Sequence, residues 1–389
     1  MSIPLIYNVR SLRGRPTTSA ATVVGIGLVV LTFVGMLALA NGFRAAMIRT
    51  GRTDNVIVIR AGADAELSSG LSREQASIIR ALPQVAREPD GTPLATSDVY
   101  VVITMNREVG GGTQANVPVR GVDFSAFRTR DQVRITEGRA FEPGRPEVIV
   151  GRGIARRVTG VDIGDTIELG TGSFTVVGRF EAEGSAFESE IWGENEQLMA
   201  VFRGPVFQSV TFRLADAQAF DAVKARLEGD PRLSVDVRRE SEFFAGQSTL
   251  LASILNFLAY FVTVIMAIGA IFGAVNTMEA LVSARSQEIA LLLTLGFKPR
   301  SVLTSFLAES LILALAGGVL GCLLALPLNG ITTSTTNFQS FAELAFQVRV
   351  TPAILVRGLL FAAVMGLIGG WLPARHASRQ VIAEALRKA

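Results

Sequence analysis

Four long apolar runs dominate the pattern of hydrophobic and polar positions along the chain. They cover residues 19–40, 250–275, 302–328 and 354–372. A helix needs about 20 mostly apolar residues to cross the hydrocarbon core of a bilayer. No run has a charged residue at its middle, and Glu309 and Arg357 lie close enough to a run's end to reach the interface or a partner. The pattern predicts four transmembrane helices, one before a long polar stretch and three after it.

The polar stretch between the first two runs predicts a folded α+β domain. Two strand–helix–strand units frame it, at residues 55–60, 72–83 and 98–105, and at residues 209–214, 217–229 and 233–239. Ser72, with Gln75 three residues later, fits a capping box at the start of the first helix. Between the units, runs such as PEVIVG and SFTVVGRF predict a β-rich insert at about residues 138–202. Thr171-Gly172 is typical of a hairpin turn, and the glycines at 110–112 predict a flexible loop.

The basic residues predict how the chain is oriented. They cluster beside the runs, at Arg10, Arg13, Arg15, Arg285, Lys298, Arg300, Arg375, Arg379, Arg387 and Lys388, whereas residues 329–353 hold only Arg349. The positive-inside rule therefore predicts cytoplasmic termini, a cytoplasmic segment at 276–301 and an extracytoplasmic domain. Arg44, Arg49 and Arg52 follow the first run on the outside, but long translocated domains cross largely regardless of charge.

The predicted fold is thus a membrane α-helical protein with four transmembrane helices, in a 1+3 arrangement, and a large extracytoplasmic α+β domain. A cleaved signal peptide ending at Ala38-Leu39-Ala40 is an alternative for the first run. That run is longer than the 7–15 apolar residues usual in signal peptides, which favours a retained span. Cleavage would leave the orientation of the rest unchanged.

Composition excludes several classes of function. The net charge of +3 is too small to indicate nucleic-acid binding, and the single Cys322 has no partner for an intrachain disulfide. The single histidine, His376, follows the fourth run, so a Ser–His–Asp set outside the membrane is excluded. No HExxH or Cys/His cluster indicates a metal site. A pair of catalytic carboxylates remains open from the sequence.

A short segment between the second and third runs predicts an amphipathic helix. Residues 284–295 hold no Gly or Pro, and Gly296 and Pro299 then end the helix. Arg285 and Glu288 are spaced to pair on one face, while leucines occupy another. At this length the helix cannot span a bilayer. Two interpretations follow: an interfacial helix that buries its leucines in lipid or in the helix bundle, and a helix that docks on another protein.

The run from residue 285 to residue 321 resembles the core of FtsX-like permeases, the membrane subunits of ABC systems of the macrolide-exporter (MacB) group. The resemblance rests on Arg285, Glu288-Ile289, Leu295-Gly296, Glu309, Gly317-Gly318 and Gly321. The N-terminal NVRSLRGRPTTSAATVVGIGL is similar to the family's basic elbow and first span. The tail PARHASRQVIAEALR resembles the family's C-terminal signature, with Ile382 where a proline is usual.

The resemblance implies a function for the short helix and an architecture for the domain. In the family, this helix couples the permease to an ATPase, a role that falls here on Arg285, Glu288, Ile289, Leu292, Leu295 and Gly296. The extracytoplasmic domain would have a porter-like core with a β-rich insert. The implied partners are a separate ABC ATPase that uses ATP and Mg, a second copy or a paralogous permease, the lipid bilayer and, where one exists, a periplasmic adaptor.

No cofactor or metal is expected on this chain itself. The phosphate-binding pattern G-x-x-x-x-G-K-[ST] is absent from it, so ATPase activity is expected only from a partner subunit. The expected location is the bacterial cytoplasmic (inner) membrane. The predicted segments are an elbow at 1–18, TM1 at 19–40, the domain at 41–249, TM2 at 250–275, the coupling loop at 276–301, TM3 at 302–328, a short outer loop at 329–353, TM4 at 354–372 and the tail at 373–389.

The apolar runs also predict how the helices pack and what they do. Small residues four apart allow close helix approach, and the candidate pairs are Gly269/Gly273, Gly317/Gly321 and Gly366/Gly370. The runs offer few polar groups to line a hydrophilic channel. Runs one and two are expected to continue outward as helical stalks.

The favoured function is a permease that couples ATP hydrolysis by a separate ATPase to motion of its extracytoplasmic domain. Efflux, extraction of lipids or lipoproteins, and mechanotransmission all remain open. A membrane receptor or sensor is the alternative, although its cytoplasmic segments would be too short for an output domain. A membrane enzyme is a third.

Overall fold

A computed structural model describes residues 16–107, 114–202 and 204–379. The predicted elbow, the glycine loop at 110–112 and the end of the tail lie wholly or mainly outside these residues. The chain divides into two compact units. The membrane unit comprises the described residues of 16–41, 253–331 and 348–379, and the α+β domain comprises Gly42–Ala252 and Thr332–Gln347.

The helices and strands are numbered here in chain order. The helices are α1 Pro16–Thr50, α2 Arg73–Arg80, α3 Ala126–Thr129, α4 Arg152–Ala155, α5 Asn195–Val201, α6 Phe220–Glu228, α7 Glu240–Ala284, α8 Ser286–Thr294, α9 Pro299–Ala325 and α10 Pro352–Ser378. The strands are β1 Asn55–Arg60, β2 Ala95–Asn106, β3 Gln114–Val122, β4 Arg134–Gly138, β5 Glu147–Gly151, β6 Thr166–Leu169, β7 Gly172–Glu181, β8 Ile191–Glu194, β9 Ser209–Arg213, β10 Val235–Arg239, β11 Thr332–Thr336 and β12 Glu343–Gln347.

Within the part of the chain that the structure describes, four helices are long and apolar enough to cross a membrane. These are α1, α7, α9 with its short 3-10 extension to Leu328, and α10. Each predicted apolar run lies within one of them. Both α1 and α7 continue well past their predicted runs, to Thr50 at one end and from Glu240 at the other, so each forms the helical extension that the sequence predicts.

The two predicted strand–helix–strand units form one half of the α+β domain. Their strands are neighbours in the order β10-β1-β9-β2. Both β1 and β2 pair antiparallel with β9, so they run parallel to each other, as a crossover through α2 requires. The predicted capping box forms. The Ser72 hydroxyl accepts from the backbone amide of Gln75, and the side-chain oxygen of Gln75 accepts from the backbone amide of Ser72. Val58, Ile79, Phe212 and Val223 are among the buried residues of this half.

The β-rich insert continues the same sheet instead of forming a separate one. Strand β3 pairs with β2, and the order then runs β3-β8-β5-β7-β4, with β6 paired to β7. One prediction is wrong by one position: the turn between β6 and β7 lies at Gly170-Thr171. Leu169 pairs with Gly172, and Gly170 has the positive φ, 59°, that a tight turn needs.

The segment predicted as a short loop before the fourth span contains a β-hairpin, β11–β12. Thr332 pairs with Gln347 and Thr336 with Glu343. This hairpin belongs to the α+β domain, whereas the helices that its two ends continue into, α9 and α10, belong to the membrane unit. The sequence TTSTT gave no alternation of apolar and polar residues to signal a strand.

The candidate glycine pairs differ in what surrounds them. A Cβ added at Gly321 would lie 2.5 Å from the Gly27 carbonyl of α1, and one at Gly366 would lie 2.4 Å from the Ala314 Cβ of α9. Gly317 and Gly370 are similarly crowded. At Gly269 and Gly273 nothing among the described residues lies within 4 Å of an added Cβ. Packing at this last pair stays a prediction.

Gly366→Ala is expected to destabilise the membrane unit, whereas Gly269→Ala is expected to leave the stability of the protomer unchanged or slightly raised. Both changes give the same gain in helix propensity, but only the first forces α9 and α10 apart. Overpacking of this kind costs about 1–3 kcal/mol. Thermal unfolding of the two detergent-purified variants measures the difference, and equal transition temperatures would contradict the packing described.

Candidate coupling site

A sharp turn positions the short helix α8 between two membrane helices. Helix α7 ends at Ala284, and Arg285 interrupts the helical backbone with φ −111° and ψ 15° before α8 begins at Ser286. The sequence predicted a start at Ala284, which instead closes α7. Gly296, with φ 89°, ends α8. Its backbone amide donates to the Leu293 carbonyl, and the Phe297 backbone amide donates to the Leu292 carbonyl. These two hydrogen bonds form the Schellman motif, which a glycine at this position favours.

Arg285 ties α8 to α9. Its Nε donates to Glu288 Oε2 at 3.0 Å, and its Nη1 donates to Glu309 Oε2 at 3.3 Å. The guanidinium also lies 5.5 Å from the ring centroid of Phe306. The Glu309 side chain is 1% exposed and that of Arg285 10%. The predicted pair with Glu288 is therefore part of a larger contact, and Glu309 is a buried partner of Arg285.

One face of α8 packs inward on the membrane unit. Ile289 and Ala290 are buried, and Leu293 packs partly against the same apolar cluster. That cluster is contributed by α7, α9 and α10, through Met278, Leu281, Val282, Val302, Phe306, Ala374 and Ala377. Ile289, which the resemblance assigned to ATPase coupling, thus holds the helix in place.

The opposite face of α8 is exposed. Leu291 is 59% and Leu295 67% exposed, whereas Leu292 is half-buried. The Glu288 side chain lies on the surface as well, with 58% of its area accessible. The six predicted coupling residues therefore divide into a buried set of Arg285 and Ile289, an intermediate Leu292, and an accessible set of Glu288, Leu295 and Gly296. Leu291, which is not among the six predicted residues, joins the accessible set.

A second group of charges, missed by the sequence reasoning, lies at the start of α7 in the α+β domain. Glu240, the first residue of α7, is fully buried and accepts from Arg130 Nε at 3.0 Å, Asn55 Nδ2 at 2.9 Å and the Arg52 amide at 3.1 Å. Arg130 also pairs with Asp98 at 2.7 Å. One helix end is thereby bonded to the β1 strand, the loop before it and the segment after α3.

The same group extends across the sheet through a second buried arginine. Arg120 on β3 pairs with Glu66 at 2.7 Å, Glu190 at 2.7 Å and Asp98 at 3.1 Å. The Trp192 indole donates to Glu190 at 2.7 Å. We call Glu66, Asp98, Arg120, Arg130, Glu190 and Glu240 the buried charge network. No two of its members are close in sequence, which is why no local motif signalled it.

The pKa values of the two glutamates bonded to Arg120 are shifted in opposite directions. Burial raises the pKa of Glu190 above its ordinary value, and Arg120 only partly offsets it. Burial also acts to raise the pKa of Glu66, but charge attraction and hydrogen bonds from Arg120, with a bond from Ser209, bring that pKa below the ordinary value. The network contains four carboxyl groups and two guanidinium groups, so its carboxyl groups outnumber its positive charges. No cluster of three or more His, Cys, Asp and Glu side chains fit for a metal ion occurs among the described residues.

Among the described residues, four membrane-compatible helices in a 1+3 arrangement, a short helix between two of them and an α+β domain with a β-rich insert form the architecture that the resemblance to FtsX-like ABC permeases predicts. Residues 19–230 match the family model for the MacB-like periplasmic core domain, and residues 260–382 match the model for the FtsX-like permease C-terminal domain. The chain belongs to this family of MacB-like and FtsX-like permeases. The α+β domain is accordingly its extracytoplasmic domain.

Curated relatives are similar over nearly the whole chain. The macrolide export ATP-binding/permease protein MacB of Escherichia coli (strain K12) is 23% identical over 404 residues, which cover 97% of this chain and 59% of that protein. The protein of the same name from Hyphomonas neptunium is 24% identical over 403 residues, covering 95% and 58%. The chain thus spans about three-fifths of the length of the curated relatives it matches.

Solved structures with a similar region include two extracytoplasmic domains. The periplasmic region of MacB from Actinobacillus actinomycetemcomitans matches 50% of this chain and 92% of its own, with 12% identity and a TM-score of 0.38. The extracellular domain of the transporter YknZ from Gram-positive bacteria matches 47% of this chain and 99% of its own, with 16% identity and a TM-score of 0.36.

Glu309→Gln is expected to lower the stability of the membrane unit much more than Glu288→Gln. The first change leaves a buried Arg285 without its buried counter-charge, and breaking a buried pair typically costs about 3–5 kcal/mol. The second removes a partner that is mostly exposed, worth at most about 1 kcal/mol. Thermal unfolding of the purified variants measures both. Similar transition temperatures for the two would mean that Glu309 does not anchor α8.

Proposed function

We propose that this chain is the permease subunit of an ABC complex, and that it couples ATP hydrolysis by a separate ATPase to motion of its extracytoplasmic domain. The observation that carries the proposal is α8 with its two flanking residues. Ile289 and the preceding Arg285 fix this nine-residue helix on one face, and Leu291 and the following Leu295 are exposed on the other. Lone exposed leucines are common on protein surfaces, but two on adjacent turns of an anchored helix form a patch that a groove in a partner can bury.

The ATPase in this proposal is a separate subunit. The relatives named above are ATP-binding/permease proteins, and the 389 residues of this chain contain no G-x-x-x-x-G-K-[ST] sequence. ATP and Mg would then bind the partner alone. Efflux, extraction of lipids or lipoproteins, and mechanotransmission all share this coupling step, and a periplasmic adaptor fits the first of them.

A second permease, identical or paralogous, is part of the proposed complex. In α7, only 22% of the most apolar stretch is buried within the chain, against 50% in α1. Gly269 and Gly273 lie on α7 with open space around them. Small residues at this spacing allow two membrane helices to approach closely. A partner permease packed on α7 would therefore cover an apolar surface that otherwise faces lipid.

The proposed orientation places the two termini and α8 in the cytoplasm of a bacterial inner membrane. It is supported by the arginines and lysines beside the apolar helices, including Arg285, Lys298 and Arg300 around α8. Under this orientation α8 meets a cytoplasmic ATPase. The α+β domain then lies on the opposite side of the membrane.

Replacing the exposed leucines should separate the permease from its ATPase. Leu291→Ala with Leu295→Ala is expected to weaken ATPase binding about thirtyfold, the equivalent of about 2 kcal/mol for an interface anchor. Leu292→Ala, at a half-buried position, is expected to have a smaller effect on binding. Quantified copurification and ATP turnover of the complex measure these losses, and the permease alone should show no turnover.

Gln287→Ala, at an exposed polar position of the same helix, is the matched control for the leucine variants. It should bind and stimulate the ATPase as the wild type does. If the double leucine variant does the same while remaining folded, α8 is an interfacial helix and the coupling proposal fails.

Single-cysteine labelling tests the orientation. In a Cys322→Ser background, cysteines at Ser301, Arg10 and Lys388 should react only with a reagent supplied from the cytoplasm, and one at Gly111 only from outside. The last three lie outside the described residues, but accessibility is all that the experiment needs. Labelling of position 301 from outside would contradict the proposed orientation. In the same background, Gly273→Cys should cross-link two copies if the second permease packs on α7.

A further inference from the structure

The β11–β12 hairpin is attached to the β-rich insert by a buried carboxylate. Glu343, which is 5% exposed, accepts from Arg107 Nη2 at 2.5 Å and from Arg157 Nη1 at 3.1 Å. Arg107 directly follows β2, and Arg157 lies just after α4 in the insert. Burial lowers the pKa of Arg157, and Glu343 acts against this shift by holding it in the charged form.

Two backbone contacts strengthen the attachment. The Asn116 side chain on β3 donates to the Phe341 carbonyl at 3.1 Å, and the Ala345 amide donates to Ser189 Oγ at 2.7 Å. Ser189 closes the 3-10 turn Ala186–Ser189 of the insert. The hairpin is therefore bonded to the domain at four residues, Arg107, Asn116, Arg157 and Ser189. Of the side chains in these bonds, Glu343 and Ser189 are almost fully buried.

The same hairpin covers the buried charge network. Asn337, Ser340 and Leu344 line a cavity of about 20 Å³, together with Tyr100 and Arg120. This volume is sufficient for about one water molecule. Phe346 packs on Phe43 of α1 with ring centroids 5.5 Å apart, and Asn337 donates to Gln247 of α7 at 3.3 Å. The hairpin thus contacts the domain ends of both long helices as well as the insert.

The connections of the sheet explain why this attachment matters. Helix α1 leads into β1, and β10 leads into α7, so both covalent links of these helices enter the sheet at its β10-β1 edge. The insert strands lie at the other end of the order. Helices α9 and α10 are joined along the chain to the two ends of the hairpin, which belongs to the α+β domain. At the far end of α9, Glu309 holds Arg285 beside α8.

We propose that the hairpin is a tether through which α9 and α10 move the β-rich insert, and that Glu343, held by Arg107 and Arg157, is the positioning residue that keeps it attached. The inference rests on the proposed function, because ATP-driven motion at α8 supplies the displacement. Helix α9 moves as a unit and transmits that displacement to the hairpin that follows it. The β10-β1 edge and the insert are then moved by different pairs of helices, so the two halves of the sheet can shift against each other.

The test uses the full permease in complex with its ATPase. Spin labels at Ser77→Cys on α2 and Thr175→Cys on β7, both exposed and in a Cys322→Ser background, report the distance between the two halves of the domain. In the wild type this distance should change between the nucleotide-free and ATP-bound states. Glu343→Gln should reduce the change to less than half while ATP turnover of the complex persists.

Three further variants separate a tether from a role in stability alone. Glu147→Gln removes another largely buried carboxylate of the insert, whose partners are Arg139, at 2.6 Å, Arg145 and the Glu142 amide and not the hairpin, and should keep the full distance change. Arg107→Gln should reduce the change, and the charge-conserving Arg107→Lys should retain it. Since Arg107 is 37% exposed in its side chain, these two variants should fold even if Glu343→Gln does not.

The outcomes distinguish the two proposals. A full distance change in Glu343→Gln and Arg107→Gln overturns the tether and leaves the ATPase coupling in place, as does a wild type that hydrolyses ATP without any distance change. If the wild-type chain neither binds an ATPase nor stimulates its turnover, the proposed function fails and the tether falls with it. Loss of the change in both variants, with retention in Arg107→Lys and Glu147→Gln, supports the tether.

Discussion

The attraction between two buried guanidinium groups and four carboxyl groups is the interaction on which the α+β domain depends. Arg120 and Arg130 are fully buried, and each bonds to carboxylates from elements far apart in the sequence. Charges of this kind lose their hydration on folding, and an arginine left without its partners is strongly destabilising. The network is therefore stable only when β2, β3, the segment before β8 and the start of α7 are all in place. It requires the sheet to be complete and α7 to begin at one defined point on it.

The start of α7 illustrates how this constraint extends to the rest of the molecule. Glu240 accepts hydrogen bonds from three residues, and the backbone just after α1 lies close beside it: a Cβ added at Gly51 would lie 2.3 Å from the Glu240 carbonyl. The two helices that run from the membrane unit thus end at one rigid contact inside the domain. Because β10 leads directly into α7, no loop lies there to absorb a displacement of α7 along its axis. At the other end of α7, Arg285 and Glu309 give a similarly fixed contact for α8.

Local signals in the sequence predicted the elements, and long-range contacts account for what they missed. The apolar runs, strand β1 and the capping box at Ser72 depend on residues close together in the chain, and each was found. The hairpin β11–β12 was missed because its strands are held by Arg107, Arg157 and Ser189, which are distant in sequence. For the same reason the pattern found the pairing of Arg285 with Glu288 but left Glu309 to reach either the membrane interface or a partner that it did not identify. The positions of the candidate coupling residues could be predicted from the sequence, but which of them are buried and which are exposed could not.

The position of the hairpin in the chain also sets the order in which the protein can be completed during synthesis. Every strand of the large sheet lies between Asn55 and Arg239, whereas the hairpin begins at Thr332, after α9. Folding during synthesis generally begins with the N-terminal part of a chain. The sheet can therefore form while the cavity beside Arg120 is still open to water and Arg107 and Arg157 lack their carboxylate. Closure requires α9 to have inserted and the chain to have turned back toward α10. Docking of Glu343 is then the last of these steps, because the hairpin is the last part of the α+β domain to be synthesised.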